Sequence, residues 1–236
     1  VIWTAGVKPN LSYLPTEDIT KKYGRILVNN NLQIENYDNC FAIGDISIIE
    51  GMEDLPITAQ VAMQEGKHLA RNLALFNVQV DTMLRTSDLR NLTVHDVQSS
   101  ETGEIREQIS VTMKKTGNTV ACVLDQAAKE ALHQWITTSG KSSHDYLFTG
   151  RKNPNKPITD THHRHLLKNW CKAAGVTAET KATHSIRKTK ATIIYKKTQN
   201  VEAVRKLLGH RSIAATSAYL GVEDSEALAL ALKTRI

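Results

Sequence analysis

The sequence predicts an α+β chain of 236 residues, mainly helical, with a small antiparallel sheet and a β-rich leading segment. Three patterns predict it. Residues 1–50 alternate short apolar runs with turns rich in Gly and Asn. From Ile57 the apolar spacing becomes that of helices. Between Ile105 and Leu124 apolar and polar residues alternate on both sides of Thr116-Gly117-Asn118, the pattern of a hairpin.

Taken in order, residues 1–3 form a short strand leading into a turn at Gly6. Residues 25–28 form another, bounded by Gly24 and the Asn29-Asn30-Asn31 run, and residues 40–43 a third that runs into Gly44-Asp45. A helix carrying Val61, Leu69 and Leu73 continues through Leu75, Phe76, Val80 and Leu84, with Gly66 the point at which it can break. The hairpin sets Ile109, Val111 and Met113 against Val120, Cys122 and Leu124 and places Lys115 at its tip. Asp125 is a cap for a helix with Ala128, Leu132, Trp135 and Ile136, stopped near Gly140. Thr159 is a cap for the next, with Leu166, Leu167, Trp170 and Ala174 on one side and Gly175 at its end. Further helices are expected over residues 185–197, 201–208, 213–220 and 225–232.

Composition narrows the class. The chain is 41% hydrophobic and 23% charged, as in soluble globular proteins. No apolar run approaches the roughly 18 residues of a membrane span, and no basic stretch leads into an apolar core as in a secretory signal. No membrane partner is expected, and a cytoplasmic location is. Val1 in the first position reads as a fragment. Cys40, Cys122 and Cys171 are odd in number and far apart, which suits reduced thiols and makes no metal cluster. Net charge is +6, unevenly spread: residues 1–72 hold 6 Lys+Arg against 9 Asp+Glu, the remainder 24 against 15. A polyanion-binding face therefore belongs to the back half.

The back half also holds a reactive set. His184 and Arg187 lie three apart, and on a helix such residues share a face, so both are expected to point into one site. Arg85 and Arg187 each offer a planar, permanently charged fork matched to phosphate oxygens. Together they can clamp a phosphate and stabilise its charge as the phosphorus becomes five-coordinate. His210, just after Gly209, can donate a further hydrogen bond. Lys115 on its hairpin tip can protonate a leaving 5′ oxygen as general acid. Tyr219, nine residues after His210, is the nucleophile, although a phenol of pKa near 10 attacks only beside cations and a base. Each element alone is a common chance pattern; the ordered set of six implies a reaction.

Residues 72–236 resemble the catalytic domain of the tyrosine recombinase (phage integrase) family. Leu84-Arg85-Thr86-Ser87-Asp88-Leu89 is similar to its first arginine motif and Thr183-His184-Ser185-Ile186-Arg187-Lys188-Thr189 to its second box. Leu207-Leu208-Gly209-His210 and Ala218-Tyr219-Leu220-Gly221 complete the likeness. The resemblance implies a 3′-phosphotyrosyl intermediate on double-stranded DNA, without metal or cofactor, and a homo-oligomer, a tetramer around two duplexes. Lys188, Lys190, Lys196, Lys197 and Arg211 are read as contacts to the DNA backbone, and residues 225–236 as able to pack in trans or in cis.

Members of that family usually carry a helical DNA-clamping domain upstream; here something else fills the space. Gly24-Arg25-Ile26-Leu27-Val28, Phe41-Ala42-Ile43-Gly44-Asp45 and Ala59-Gln60-Val61-Ala62-Met63 resemble the last part of the FAD-binding region of type II NADH dehydrogenases. That resemblance implies that Asp45 is the vestige of a residue bonding the flavin's ribityl chain. A dinucleotide site also needs a strand–GxGxxG–helix unit, and no such glycine spacing occurs. The expected organisation is thus a truncated flavoprotein fragment over residues 1–70 joined to a recombinase catalytic domain over 71–236, the join falling near 66–73. Loss of the clamping domain is expected to impair the enzyme. The alternatives are a non-catalytic DNA-binding remnant and an FAD-dependent oxidoreductase fragment.

Overall fold

The computed structural model describes residues 9–12, 18–37, 39–150, 153–173, 175 and 182–221. The strand expected at 1–3, Ala174 and the helix expected at 225–232 lie outside the described residues.

The front unit is a three-stranded sheet ordered β1 (Lys21–Lys22), β2 (Arg25–Val28), β3 (Ser47–Ile49). β1 runs antiparallel to β2, whereas β2 and β3 pair in parallel, Ile26 beside Ser47 and Val28 beside Ile49. Ile26, Val28, Leu32, Ile34 and Ala42 form its small core. Residues 40–43 are not the expected strand: they contribute a single bridge, Phe41 to Gln33.

Helix α1 (Ala59–Thr82) starts where the Thr58 hydroxyl accepts the Val61 N–H. It runs unbroken through Gly66, since one glycine costs a helix only about 1 kcal/mol. It ends at Thr82, two residues short of the expected Leu84, capped by Met83, which takes the left-handed conformation at φ 49°. The helix serves both halves of the chain. At its start Glu65 accepts the Gly44 N–H at 2.6 Å and Leu69 packs on the front core. One turn later Ala70, Ala74, Leu75 and Val78 enter the main core.

That main core lies between α1, the hairpin of β4 (Gln108–Thr112) and β5 (Thr119–Val123), and α4 (Gln126–Ser139). The hairpin register sets Ile109 opposite Cys122 and Val111 opposite Val120, so the buried residues share one face. Asp125 caps α4 by accepting the Ala128 N–H at 2.8 Å, and Gly140 ends it at φ 66°. Ala128, Leu132, Trp135 and Ile136 face inward, with the Trp135 indole N–H donating to the Leu147 carbonyl at 2.8 Å. Short helices α2 (Thr86–Arg90) and α3 (Val94–Val97) and a second hairpin, β6 (Thr149–Gly150) with β7 (Asn153–Pro157), lie outside the sequence expectation. Helix α5 (Asp160–Ala173) begins at Thr159, whose hydroxyl accepts the His162 N–H at 3.1 Å. Helix α5 meets α1 through Trp170 stacked edge-on to Phe76 and His163 bonded to Gln79.

A second core holds the last helices: α6 (Ala182–Thr198), α7 (Val201–Leu208) and α8 (Ile213–Leu220). Met83, Ala191, Tyr195, Val204, Leu208 and Leu220 form it, and Tyr219 packs on its edge. Asn200 and Ser212 cap α7 and α8, while Gly209 and Gly221 end them in the left-handed conformation. None of the described helices is long and apolar enough to cross a membrane, and the described residues hold no group of metal-ligating side chains.

Candidate active site

Four of the six sequence-expected residues converge where the two cores meet. Arg85 follows directly on the end of α1 and precedes α2, so the left-handed turn at Met83 aims it toward the hairpin; its Nη1 lies 3.5 Å from Met113 Sδ. Arg187, in α6, is only 3% exposed. Its Nη2 donates to the Leu208 carbonyl at 2.9 Å, its Nε is buried without a partner among the described residues, and its Cζ lies 6.0 Å from the centre of the Tyr219 ring. The His210 ring meets Tyr219 edge to face at 5.4 Å, and its Nδ1 lies 3.2 Å from Thr216 Oγ1. The Tyr219 hydroxyl is buried and unpartnered among the described residues.

The electrostatics follow from this crowding. Burial raises the Tyr219 phenol above its ordinary value, outweighing the opposite pull of Arg187 and Arg85, so the resting phenol holds its proton. Burial, then the charges of Arg187 and Arg85, push His210 down, which favours a neutral ring at pH 7. Arg187 is itself lowered by burial and by Arg85, with Tyr219 and Asp88 pulling the other way. Two guanidinium groups held together beside unfilled hydrogen-bonding capacity form a site built for an anion.

The hairpin is docked onto the His210 turn. Gly209 sits at φ 63°, and a Cβ there would lie 2.6 Å from Met113 Sδ and 2.7 Å from Val120 Cγ1, so the approach requires glycine. Asn118 Nδ2 donates to the Gly209 carbonyl at 3.4 Å and Arg211 Nη2 to the Thr116 carbonyl at 3.1 Å. On the other side Asp88, 4% exposed, accepts the Lys114 N–H at 3.0 Å. Lys115 therefore projects from an anchored turn, with its own side chain exposed.

Two expectations need correction. His184 does not join Arg187 in the buried cluster: it is exposed in the first turn of α6, while Arg187 is buried. Residues three apart on a helix diverge by about 60°, enough at this edge to put one inside and one out. Lys190 is not a solvated contact, because its ammonium closes on the buried carboxylate of Asp81, whose other oxygen accepts the Asp125 N–H. This pair ties α6 to the end of α1. Arg211 spends one donor on the hairpin, whereas Lys188, Lys196 and Lys197 are exposed. Asp45 is exposed beside a cavity of about 20 Å³ bordered by Gly44, Thr58 and Glu65.

Sequence reasoning missed Asp88, Thr216 and Asp81. Asp88 and Thr216 carried a signal, each lying three residues from a site residue on the same helix or turn; Asp81 carried none, its partner being far along the chain.

Residues 57–226 match the phage integrase family. The chain is 28% identical to a tyrosine recombinase of Pseudothermotoga lettingae over 202 residues, covering 81% of this chain and 67% of that protein. It is 25% identical to the probable integrase/recombinase YoeC of Bacillus subtilis over 176 residues, 75% of this chain and 90% of that one. Among solved structures it resembles XerA recombinase, with TM-score 0.57 and 22% identity over 74% of this chain and 62% of that chain. XerH recombinase in a post-cleavage complex with palindromic difH gives TM-score 0.58 and 22% identity over 77% and 48%. The chain thus spans 67% and 90% of the length of the two relatives and 62% and 48% of the two solved recombinases, and at such identity the structural likeness concerns the fold alone. A segment of 76 residues is 43% identical to the type II NADH:quinone oxidoreductase of Staphylococcus saprophyticus, covering 31% of this chain but only 19% of that protein. With 170 of its 236 residues inside one family match, the chain belongs to the phage integrase family.

Proposed function

We propose that the chain cuts and rejoins duplex DNA through a covalent bond between Tyr219 and a 3′ phosphate. The observation that carries this reading is the buried, unpartnered Tyr219 hydroxyl beside Arg187 and within the field of Arg85. The tyrosyl oxygen attacks phosphorus while the guanidinium groups hold the non-bridging oxygens and stabilise the charge that builds there. The bond to the 5′ oxygen breaks, and Lys115 gives that oxygen a proton. Religation runs the same path backwards, so no external energy source is needed. The exposed Lys188, Lys196 and Lys197 supply backbone contacts. The acting form is a tetramer on two duplexes, in the cytoplasm; that DNA is the partner is supported by the likeness to XerH recombinase, whose solved complexes hold its difH substrate.

In this reading the catalytic domain begins near residue 71, and residues 1–70 are a flavoprotein remnant that shares α1 with it. The test is a nicked suicide duplex, from which the cleaved strand cannot be rejoined. The wild-type chain should accumulate a protein–DNA adduct and Tyr219→Phe none; identical behaviour of the two rejects cleavage. A second reading is a DNA-binding remnant that keeps the exposed basic residues Lys188, Lys196 and Lys197 of α6 but does not cleave. It requires salt-sensitive, sequence-indifferent binding without adduct, log Kd changing with log salt by about 0.9 per phosphate contact.

A further inference from the structure

The two guanidinium groups of the site come from opposite cores, and they repel: burial and then the charge of Arg85 lower the pKa of Arg187. Something must hold them together while no phosphate lies between them. Arg85 stands four residues after Asp81, past the left-handed turn at Met83 that caps α1. Arg187 stands three residues before Lys190, on the same helix α6. The Lys190 ammonium closes on one Asp81 oxygen, and the other oxygen accepts the Asp125 N–H at 2.8 Å. The Asp81 side chain is only 4% exposed, so a buried carboxylate is filled on both oxygens, from α6 and from the start of α4. Among the described residues this is the one ion pair that joins two helices; the others lie within α5, within α7 or in the front unit.

We infer that Asp81 and Lys190 are positioning residues, a latch that preassembles the Arg85–Arg187 clamp before DNA arrives. The effect on rate rests on the cleavage reading above; the effect on anion binding does not. Each end of the latch sits one turn from an arginine, Asp81 in the last turn of α1 and Lys190 in the middle of α6. Met83 shares the second core with Ala191 and Tyr195 and so keeps α1 against α6, but apolar contact is non-directional and leaves sliding open. A carboxylate with both oxygens engaged is directional and fixes the register. Without it, α6 stays packed while Arg187 drifts from Arg85 under their repulsion.

Two measurements on the whole chain test this. The first needs no turnover: titration with inorganic tungstate, a tetrahedral oxyanion, followed by calorimetry without DNA. Wild type should bind it and Arg187→Ala should not, which assigns the site. Lys190→Met should bind about tenfold more weakly or worse, since one fork of the clamp is displaced, while Lys190→Arg, which keeps the ion pair, should stay within about threefold. Asp81→Asn/Lys190→Met leaves no charge buried alone, so it keeps the fold, and it should bind as weakly as Lys190→Met. The second measurement is single-turnover cleavage of the nicked duplex with either a phosphodiester or a methylphosphonate at the scissile position. The methyl group replaces one charged oxygen and so asks less of the second guanidinium. At unchanged DNA affinity, the double variant should fall about tenfold or more on the phosphodiester but stay within about threefold of wild type on the methylphosphonate. Full tungstate binding by the double variant overturns the latch, as does a wild type that binds none, or an equal defect on both substrates. Tungstate binding in the expected pattern without any cleavage keeps the latch and removes the cleavage reading.

Discussion

His210 and Tyr219 meet edge to face, ring centres 5.4 Å apart and planes at 86°, across the turn that joins α7 to α8. The contact holds because Gly209 ends α7 in the left-handed conformation and the Ser212 hydroxyl, accepting the Ala215 N–H, restarts the chain as α8. An imidazole, a phenol and a guanidinium are thereby gathered from two adjoining helices and a third, α6, with Arg85 supplied from the opposite core.

Arg187→Ala should lower single-turnover cleavage by on the order of 10²–10³ or more, the scale seen when a preorganised donor to a transition-state oxyanion is removed. DNA affinity, measured at the same salt, should change little, because one phosphate contact among many is lost. Arg187→Lys should remain strongly impaired, since a point charge does not reproduce the fork and cannot reach both Leu208 and a phosphate oxygen. A lysine variant with near wild-type rate would show that charge alone suffices.

Lys115→Ala should slow departure of the 5′ oxygen while leaving the tyrosyl attack geometry intact, since the side chain is exposed on an anchored turn. A 5′-bridging phosphorothiolate, whose sulfur leaves without protonation, should restore the variant to near the wild-type rate on the same substrate. Absence of rescue takes the general-acid role away from Lys115.

Met83 has a left-handed backbone, yet its side chain is 4% exposed in the second core. These pull in opposite directions: a non-glycine residue there costs roughly 1 kcal/mol or more, while deleting a buried methionine side chain costs about 2–5 kcal/mol. Packing should win, so Met83→Gly lowers stability. Met83→Ala loses the packing and keeps the strain, so it should melt below Met83→Gly in thermal unfolding. This reverses the usual order at helical positions; alanine melting higher would mean the turn is unstrained.

How much of this was legible depended on whether the determining contact was local. The Asp125 cap, the Gly140 stop and the 105–124 hairpin are written within a few residues of where they act, and the structure has them as expected. The convergence of Arg85, Arg187, His210 and Tyr219 was readable only as an ordered set, because it depends on two cores meeting. Lys190 looked like one basic residue among several until Asp81, 109 positions earlier, was placed beside it. Helices α2 and α3, of five and four residues, are too short to show a period. The exposure of His184 depends on where α6 starts, which helical spacing does not specify.

His163 provides a test of the fold that is independent of catalysis. It is fully buried in α5 against Gln79 of α1, with ring nitrogen and amide oxygen 2.9 Å apart. Burial pushes its pKa down to about 4 from the ordinary imidazole value of 6.5. The folded state therefore resists a proton that the unfolded chain accepts. Stability from this site is complete above pH 6.5 and is lost progressively as pH falls toward 4. At pH 5 the loss should be about 2 kcal/mol relative to pH 7.5, at 1.36 kcal/mol per unit between the unfolded value and the working pH. Urea unfolding at the two pH values checks it. His163→Gln, which offers a donor to Gln79 but does not ionise, should start from a lower stability and lose less of it between pH 7.5 and 5. Equal losses in the two proteins would mean that the buried ring takes up its proton without opening the α1–α5 contact.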